Sequence, residues 1–230
     1  MFANFDFDVI RRSLGYLFFD GMTFTLTLTG LSALGGLVFG TLIALMRLSG
    51  FRVLGFIGGI YVDLIRSLPL VLVIFWFYFL VPYIGQWLTG SSRPVRVGAF
   101  TSSLVTFILF EAAYFSEIMR AGIQSISRGQ PAAANALGLT YAQTMRYVVL
   151  PQAFRNMLPV LLTQTIVLFQ DTSLVYVLSI PDFLGAASKV AQRDGRLVEM
   201  YLFAALVYFV ISCAASFGVR RLQANIAIVR

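Results

Sequence analysis

Long uncharged blocks alternate with short charged ones along this chain, and the length of each block limits what it can become. Met22 to Met46 carries no charge, and a helix needs ~20 apolar residues to cross a bilayer whereas a barrel strand needs only ~10. The block therefore predicts a spanning helix, even though Thr23, Thr25, Thr27 and Thr29 alternate with Phe and Leu as a strand would. Ser32, Gly36, Gly40 and Ala44 share one face of that helix, a groove of small side chains into which another helix can pack.

The remaining blocks follow the same logic. Val53 to Val62 is too short to cross and predicts an interfacial piece or the foot of the next helix, with Asp63 and Arg66 spaced to pair on one face. Ser67 to Ser92 is uncharged and predicts a second span, with Pro69 near its start and Pro82 near its far end. Val97 to Ser116 predicts a third, carrying Glu111 inside it. Tyr147 to Gln170 predicts a fourth, interrupted only by Arg155, and Met200 to Val219 a fifth, halted by Arg220 and Arg221. Thr172 to Pro181 is apolar but cannot cross alone, so it re-enters or lies at the surface, and the polar stretch Asp182 to Glu199 connects it to the last span. A charge inside a span is costly unless paired or facing a cavity. Counting rise per residue puts Glu111 and Arg155 at similar depths, so the two are expected to pair.

Composition agrees with a membrane chain: 59% of residues are hydrophobic and 12% charged, which sets it apart from an ordinary soluble domain. There is no His, and Cys213 is the only Cys, which excludes His-dependent triads, Cys/His metal sites and internal disulfides. The net charge of +7 comes from dispersed Arg residues that form no stripe, a pattern that fits lipid headgroups and not nucleic acid. MFANFDFDVIRR is acidic before its first Arg and predicts no removable signal peptide. A phosphate-cradling loop ends in Gly-Lys-Ser/Thr, and the only Lys, Lys189, stands between Ser188 and Val190. Any ATP hydrolysis coupled to this chain must reside in another polypeptide.

One water-side stretch is built differently from the connectors. In GQPAAANALGLTYAQTMRYVVLP, Gly129 to Pro151, Pro131 suits a first helical turn and Ala132, Ala133, Ala134 and Leu137 favour a short helix. Gly138 ends it, Thr140 with Gln143 fits a capping box that restarts a second helix, and Pro151 punctuates that one. An ordinary connecting loop is the alternative reading.

Ala132-Ala133-Ala134, Gly138 and Val148-Val149-Leu150-Pro151 stand at the spacing of a cytoplasmic loop in the permease subunits of binding-protein-dependent ABC importers. That loop has the pattern E-A-A, three residues, G, nine residues, I-x-L-P. Ala132 occupies the position where most members have Glu. Ala113 to Ile126 and Arg66-Ser67-Leu68-Pro69-Leu70 resemble the polar amino-acid branch, and Leu161 to Ser179 most resembles the glutamate/aspartate permeases. The resemblance, which runs from Gly21 to Leu222, implies an all-α membrane protein with the five-span type I importer fold and a cytoplasmic coupling helix. Spans are expected at about 22–46, 67–88, 97–117, 147–170 and 200–219 in a domain over 22–222, after an extracytoplasmic segment 1–21 and before a cytoplasmic tail 223–230. Two ABC ATPase subunits, which would hold ATP and Mg, a sister or identical permease and a periplasmic amino-acid-binding protein are the implied partners; no cofactor belongs to this chain. Lys and Arg counts on the two sides are nearly balanced, so the resemblance is what puts the C-terminus and the 129–146 loop in the cytoplasm of an inner membrane.

Gln130, Pro131, Ala132, Ala133, Ala134, Leu137, Gly138, Leu139 and Pro151 are the residues such a loop would use to meet the ATPase. Gln164, Gln170, Asp171, Thr172 and Ser173, with Glu111, offer amides, hydroxyls and carboxylates for a substrate path, Asp171 being placed to hold an ammonium. A helix end capped by its own polar residues is the alternative. Many polar amino-acid permeases carry Lys where this chain has Gln170. The resemblance implies import of polar amino acids, L-glutamate and L-aspartate first, with glutamine, arginine or histidine types as the alternative. An ion-coupled secondary transporter would show an internal repeat, which is not evident, and a scaffold would leave Glu111 and Arg155 without a purpose.

Overall fold

The structure is a computed structural model that describes residues 5–226, and every regular element among them is helical. The expected segments 1–21 and 223–230 lie partly outside the described residues. Helix α1 (Phe7–Leu48) begins well before Met22, because residues 7–22 are amphipathic: Val9, Ser13 and Leu17 are buried while Arg11 and Arg12 face out. Asp6 caps it by accepting the N–H groups of Asp8 and Val9. Helix α2 (Arg52–Ser67) stops at Leu68, which is extended as the residue before a proline must be. Helix α3 (Leu70–Thr89) contains a π-helical turn, Trp76–Leu80, just ahead of Pro82 and ends at Gly90 with φ 64°. Helix α4 (Ala99–Gln124) is followed by the short α5 (Gly129–Ala136), then α6 (Tyr141–Leu178), α7 (Phe183–Asp194) and α8 (Leu197–Ile226). Five of these, α1, α3, α4, α6 and α8, are long and apolar enough to cross a membrane.

One expectation sharpens and two change. The punctuation expected at Pro151 is a wider π-helical turn over Met145–Val149 just ahead of it, and the chain runs on through the proline as α6. Thr172–Leu178 is no separate surface piece but the tightened 3₁₀ end of α6. The stretch after Asp182 is no plain connector either: Asp182 accepts from the N–H groups of Leu184 and Gly185 and starts α7, which ends at Gly195 with φ 67°.

The chain divides into two compact units. One takes in the described residues up to Ala33, Pro69–Ile108 and Ile166–Ala215. Its core joins Val9, Leu17 and Met22 of α1 to Phe183, Ala187 and Ala191 of α7 and Met200 of α8, with a second cluster of Leu28, Ile74, Phe107, Leu168 and Val175. Gly21 lets α1 approach so closely that an added Cβ would lie 3.0 Å from the Phe183 Cα, and the Phe183 N–H donates to Thr25 Oγ1 at 3.0 Å. Ion pairs tie the same elements together: Arg12 with Asp194 at 3.1 Å, and Arg196 with Glu199 at 3.2 Å and Asp6 at 3.7 Å.

The other unit holds Leu34–Leu68, Leu109–Thr165 and the described residues from Ser216. Here the small-residue face of α1 meets α4 as expected: a Cβ on Gly36 would stand 2.7 Å from the Glu111 Cβ, and one on Gly40 2.9 Å from the Phe115 Cβ. Arg47 at the end of α1 pairs with Glu117 of α4, which also pairs with Arg120. The Tyr61 hydroxyl of α2 donates to the Leu109 carbonyl. Arg66 does not pair with Asp63; its guanidinium stands over the Tyr114 ring, 5.3 Å from the centroid, a contact worth about as much as an exposed ion pair.

Two measurements check this packing. Gly36→Ala should destabilise the purified protein by about 1–3 kcal/mol, the usual cost of overpacking, whereas Gly30→Ala, where an added Cβ would meet open space, should be neutral or slightly stabilising. Denaturation midpoints in detergent that rank the two alike would contradict the close α1–α4 contact. The second concerns Asp182, whose carboxyl is pushed up to about 7 by burial against the pull of the Gly185 and Leu184 N–H groups. Because the folded value lies above the unfolded one, this group's contribution is full below pH ~4 and lost as pH rises through about 7. Asp182→Asn keeps a capping oxygen and should flatten that fall in thermal stability.

Candidate functional site

The Gly129–Pro151 hairpin lies wholly in the second unit and is held at every joint. After α5 the Leu139 N–H donates to the Ala134 carbonyl at 3.1 Å and the Gly138 N–H to the Asn135 carbonyl at 2.9 Å. These are the two bonds of a Schellman ending, and Gly138 supplies its left-handed residue with φ 82°. The Thr140–Gln143 capping box is complete: Gln143 N–H donates to Thr140 Oγ1, and Thr140 N–H to Gln143 Oε1 at 2.9 Å. Thr144 reaches back to the Asn135 side chain at 3.4 Å and Gln152 to that of Gln130 at 3.5 Å, so the two arms of the corner are tied to each other.

Below the corner, Ile126 just beyond α4 packs with Val149 and Ala153 of α6 and with Ile123 and Met145, while Asn156 donates to Ser125 Oγ at 2.8 Å. Ala134 is buried, whereas Gln130, Ala132, Ala133, Gly138 and Pro151 are exposed and Pro131 and Leu139 are half-buried. Leu137 is 81% exposed and Tyr141 79%.

The residues expected along a substrate path fall into two groups, one in each unit. In the second unit Glu111 is 1% exposed, and Gln164 of α6 donates to its Oε1 at 3.3 Å. Arg155 is exposed and takes part in no ion pair among the described residues, so the expected Glu111–Arg155 pair is absent. Counting rise from the expected span ends put Arg155 level with Glu111, but α6 packs with Asn156 beside Ser125 and Gln164 beside Glu111, about 13 Å farther along the helix, and a search for opposite charges passes over an amide. In the first unit Gln170 donates to Ser212 Oγ of α8 at 3.0 Å, and the buried Thr172 gives its proton to the Phe169 carbonyl at 2.7 Å. Asp171 and Ser173 are half-buried. For Thr172 the helix-cap alternative describes the geometry.

Helix α7 went unrecognised in the sequence, although its signals were there: Asp182 at its N-cap and Gly195 just past its end. At that end Asp194 receives both Arg193 and Arg12, which hold its carboxyl down at about 2.

Comparison with known proteins places this geometry. A family model described as binding-protein-dependent transport system inner membrane component matches residues 36–228. The glutamate/aspartate import permease protein GltK of Escherichia coli O157:H7 is 53% identical over 224 residues, covering 97% of this chain and 99% of that protein. The probable glutamine ABC transporter permease protein GlnM of Bacillus subtilis is 34% identical over 207 residues, covering 90% and 92%. Among solved structures, an amino acid ABC transporter crystallised with histidines superposes with a TM-score of 0.85 at 32% identity, over 96% of this chain and 98% of that one. The MetNI methionine ABC transporter, at 18% identity and a TM-score of 0.74 over 93% and 97%, shares the fold. With the family model matching most of its length, this chain belongs to the inner membrane components of binding-protein-dependent ABC transport systems, as a multi-pass permease subunit that is not itself catalytic and works with an ATPase and a binding protein.

Proposed function

We propose that this permease moves L-glutamate and L-aspartate inward across the membrane, driven by ATP bound with Mg in two copies of a partner ATPase. The substrate reading rests on 53% identity, over nearly the full length of both chains, to a permease named for those two amino acids. In this reading the C-terminus and the Gly129–Pro151 hairpin face the cytoplasm, the α6–α7 turn and α7 face outward, and a sister or identical permease completes the pathway. The amino acid arrives on a periplasmic binding protein.

The observation that carries the mechanism is the clamped corner. Helix α5, with Leu137 standing out just past its end and Tyr141 at the start of α6, docks in a groove of the ATPase, and the absence of a carboxylate at Ala132 leaves that contact to apolar packing and to Gln130. When the ATPase pair closes on ATP, the hairpin moves. Its capping bonds allow little internal bending, and the Ile126–Val149–Ala153 cluster and the Asn156–Ser125 bond pass the displacement to both α4 and α6. Glu111 and Gln164 sit on those two helices, joined by a hydrogen bond that such a movement would strain or break. Asp171, Ser173 and Gln170 are proposed to serve the outer part of the path, Asp171 meeting the ammonium group.

Reconstitution tests the substrate. Proteoliposomes holding the complete complex and its binding protein should take up labelled L-glutamate with ATP, and excess L-aspartate should compete while L-glutamine should not. Uptake of glutamine in its place would replace this substrate reading with the glutamine one.

A substitution tests the corner. No atom lies within 4 Å of a Cβ built on Gly138, so Gly138→Val acts through its φ of 82° and not through a clash, at a cost of about 1–2 kcal/mol. Uptake should fall several-fold with the complex still assembled, and Gly138→Asn, which tolerates the left-handed region, should restore part of it. Equal uptake by all three proteins would show that the corner does not transmit force.

A further inference from the structure

Between the end of α6 and helix α7, within the first unit, lies a cavity of about 270 Å³, large enough to admit a small amino acid. Gly185, Ser188, Lys189 and Gln192 line one wall, a spacing that a helix presents on a single face. Tyr176 and Ser179 stand on the other.

The wall is organised and polar. Gln192 donates to Ser188 Oγ at 3.0 Å, and Ser188 meets the Tyr201 hydroxyl at 3.1 Å, so the amide is held in place. Gly185 permits the close seating of α7 on the turn, since a Cβ there would come within 2.2 Å of the Ile180 carbonyl oxygen. Ser179 has φ 59°, the one non-glycine residue in the left-handed region among those described, and it faces this cavity.

The charge is one-sided. No acidic residue lines the cavity, and Lys189 is exposed at it. The neighbouring cations are all engaged, Arg193 by Asp194 and Arg196 by Glu199 and Asp6, whereas Lys189 takes part in no ion pair among the described residues. An ammonium with three donors, beside hydroxyls and an oriented amide and with no anion of its own, is the donor set for a carboxylate.

We infer that this cavity is a carboxylate-binding site on the outward face of the permease, with Lys189 as the cation and Ser179, Tyr176 and Gln192 as supporting polar groups. It rests on the transport reading only for its sidedness. The carboxylate belongs either to a free acidic amino acid arriving at the membrane or to an acidic side chain of the docked binding protein, and the chemistry of recognition is the same for both.

Lys189 is the chain's only lysine, so reductive ¹³C-methylation, which preserves its charge, places a single side-chain NMR probe at the site. In nanodiscs the full-length chain should show a saturable shift of that signal with L-glutamate, larger than with sodium chloride at equal ionic strength; this result identifies the free amino acid as a ligand. In the complete complex, Lys189→Gln should raise roughly tenfold the binding-protein concentration that half-maximally stimulates ATP hydrolysis if the carboxylate is the partner's, with Lys189→Arg staying near wild type and basal hydrolysis unchanged. Either result supports the site. A signal that moves no more with glutamate than with salt, together with an unshifted stimulation curve for Lys189→Gln, overturns it. A wild-type complex that fails to import glutamate counts against the transport reading instead, and is distinguished by needing no variant.

Discussion

Hydrocarbon offers a peptide group no hydrogen-bond partner, so a chain that crosses it must satisfy its backbone internally, and in a single chain of this kind that means helix nearly everywhere. Within the long helices of this permease the departures from ideal geometry are accordingly changes of helical winding. Pro82 and Pro151 each follow a π-helical turn, and α6 tightens into a 3₁₀ end over Thr172–Leu178. Threonine hydroxyls add further local bonding, Thr29 to the Thr25 carbonyl and Thr163 to that of Pro159, where the proline can donate nothing back. The same demand explains why charges within the spans are met by polar neighbours: Glu111 receives Gln164, and Glu117 receives Arg47 and Arg120.

Without a hydrophobic drive between helices in lipid, close approach has to come from small residues. Gly36 and Gly40 bring α1 onto the backbone of α4 in one unit, and Gly21 brings it onto the start of α7 in the other. One long helix is thereby fastened by glycine contacts in both units, and the ionic and hydrogen-bonded contacts at Arg47, Thr25 and Arg12 lie beside those contacts.

What could be read from the sequence was whatever depends on spacing along the chain. Uninterrupted apolar length located the spans, fourfold spacing located the Gly36–Gly40 face, and the Gly138 corner with its Thr140–Gln143 cap followed from residue types alone. What depends on direction around an axis could not be read. Gln164 stands nine residues beyond Arg155 on α6, ~13 Å farther along the axis and on the opposite face, so the level at which α6 packs on α4 and its rotation together bring the amide to Glu111 while the guanidinium faces out. Pro151 marks a change of winding that residue type alone does not specify: the expected punctuation takes the form of a wider turn just upstream, and the helix continues. Helix α7 is hard to read from hydropathy because most of its buried face is Gly, Ala and Ser, with only Phe183 and Val190 as large apolar residues, although the small ones pack tightly.

The π-helical turn at Met145–Val149 has a consequence for phase. Such a turn holds one residue more than an α-helical one, and each residue of an α-helix advances ~100° about the axis. The hairpin above that turn and the span below it are therefore out of register with a continuous α-helix by about that angle. The face of α6 carrying Gln164 toward Glu111 and the direction in which Leu137 and Tyr141 project are set by this single inserted residue as much as by any side-chain contact. A one-residue deletion there would leave the apolar runs of the sequence intact, yet turn the Leu137–Tyr141 corner roughly a quarter of the way around the axis of α6.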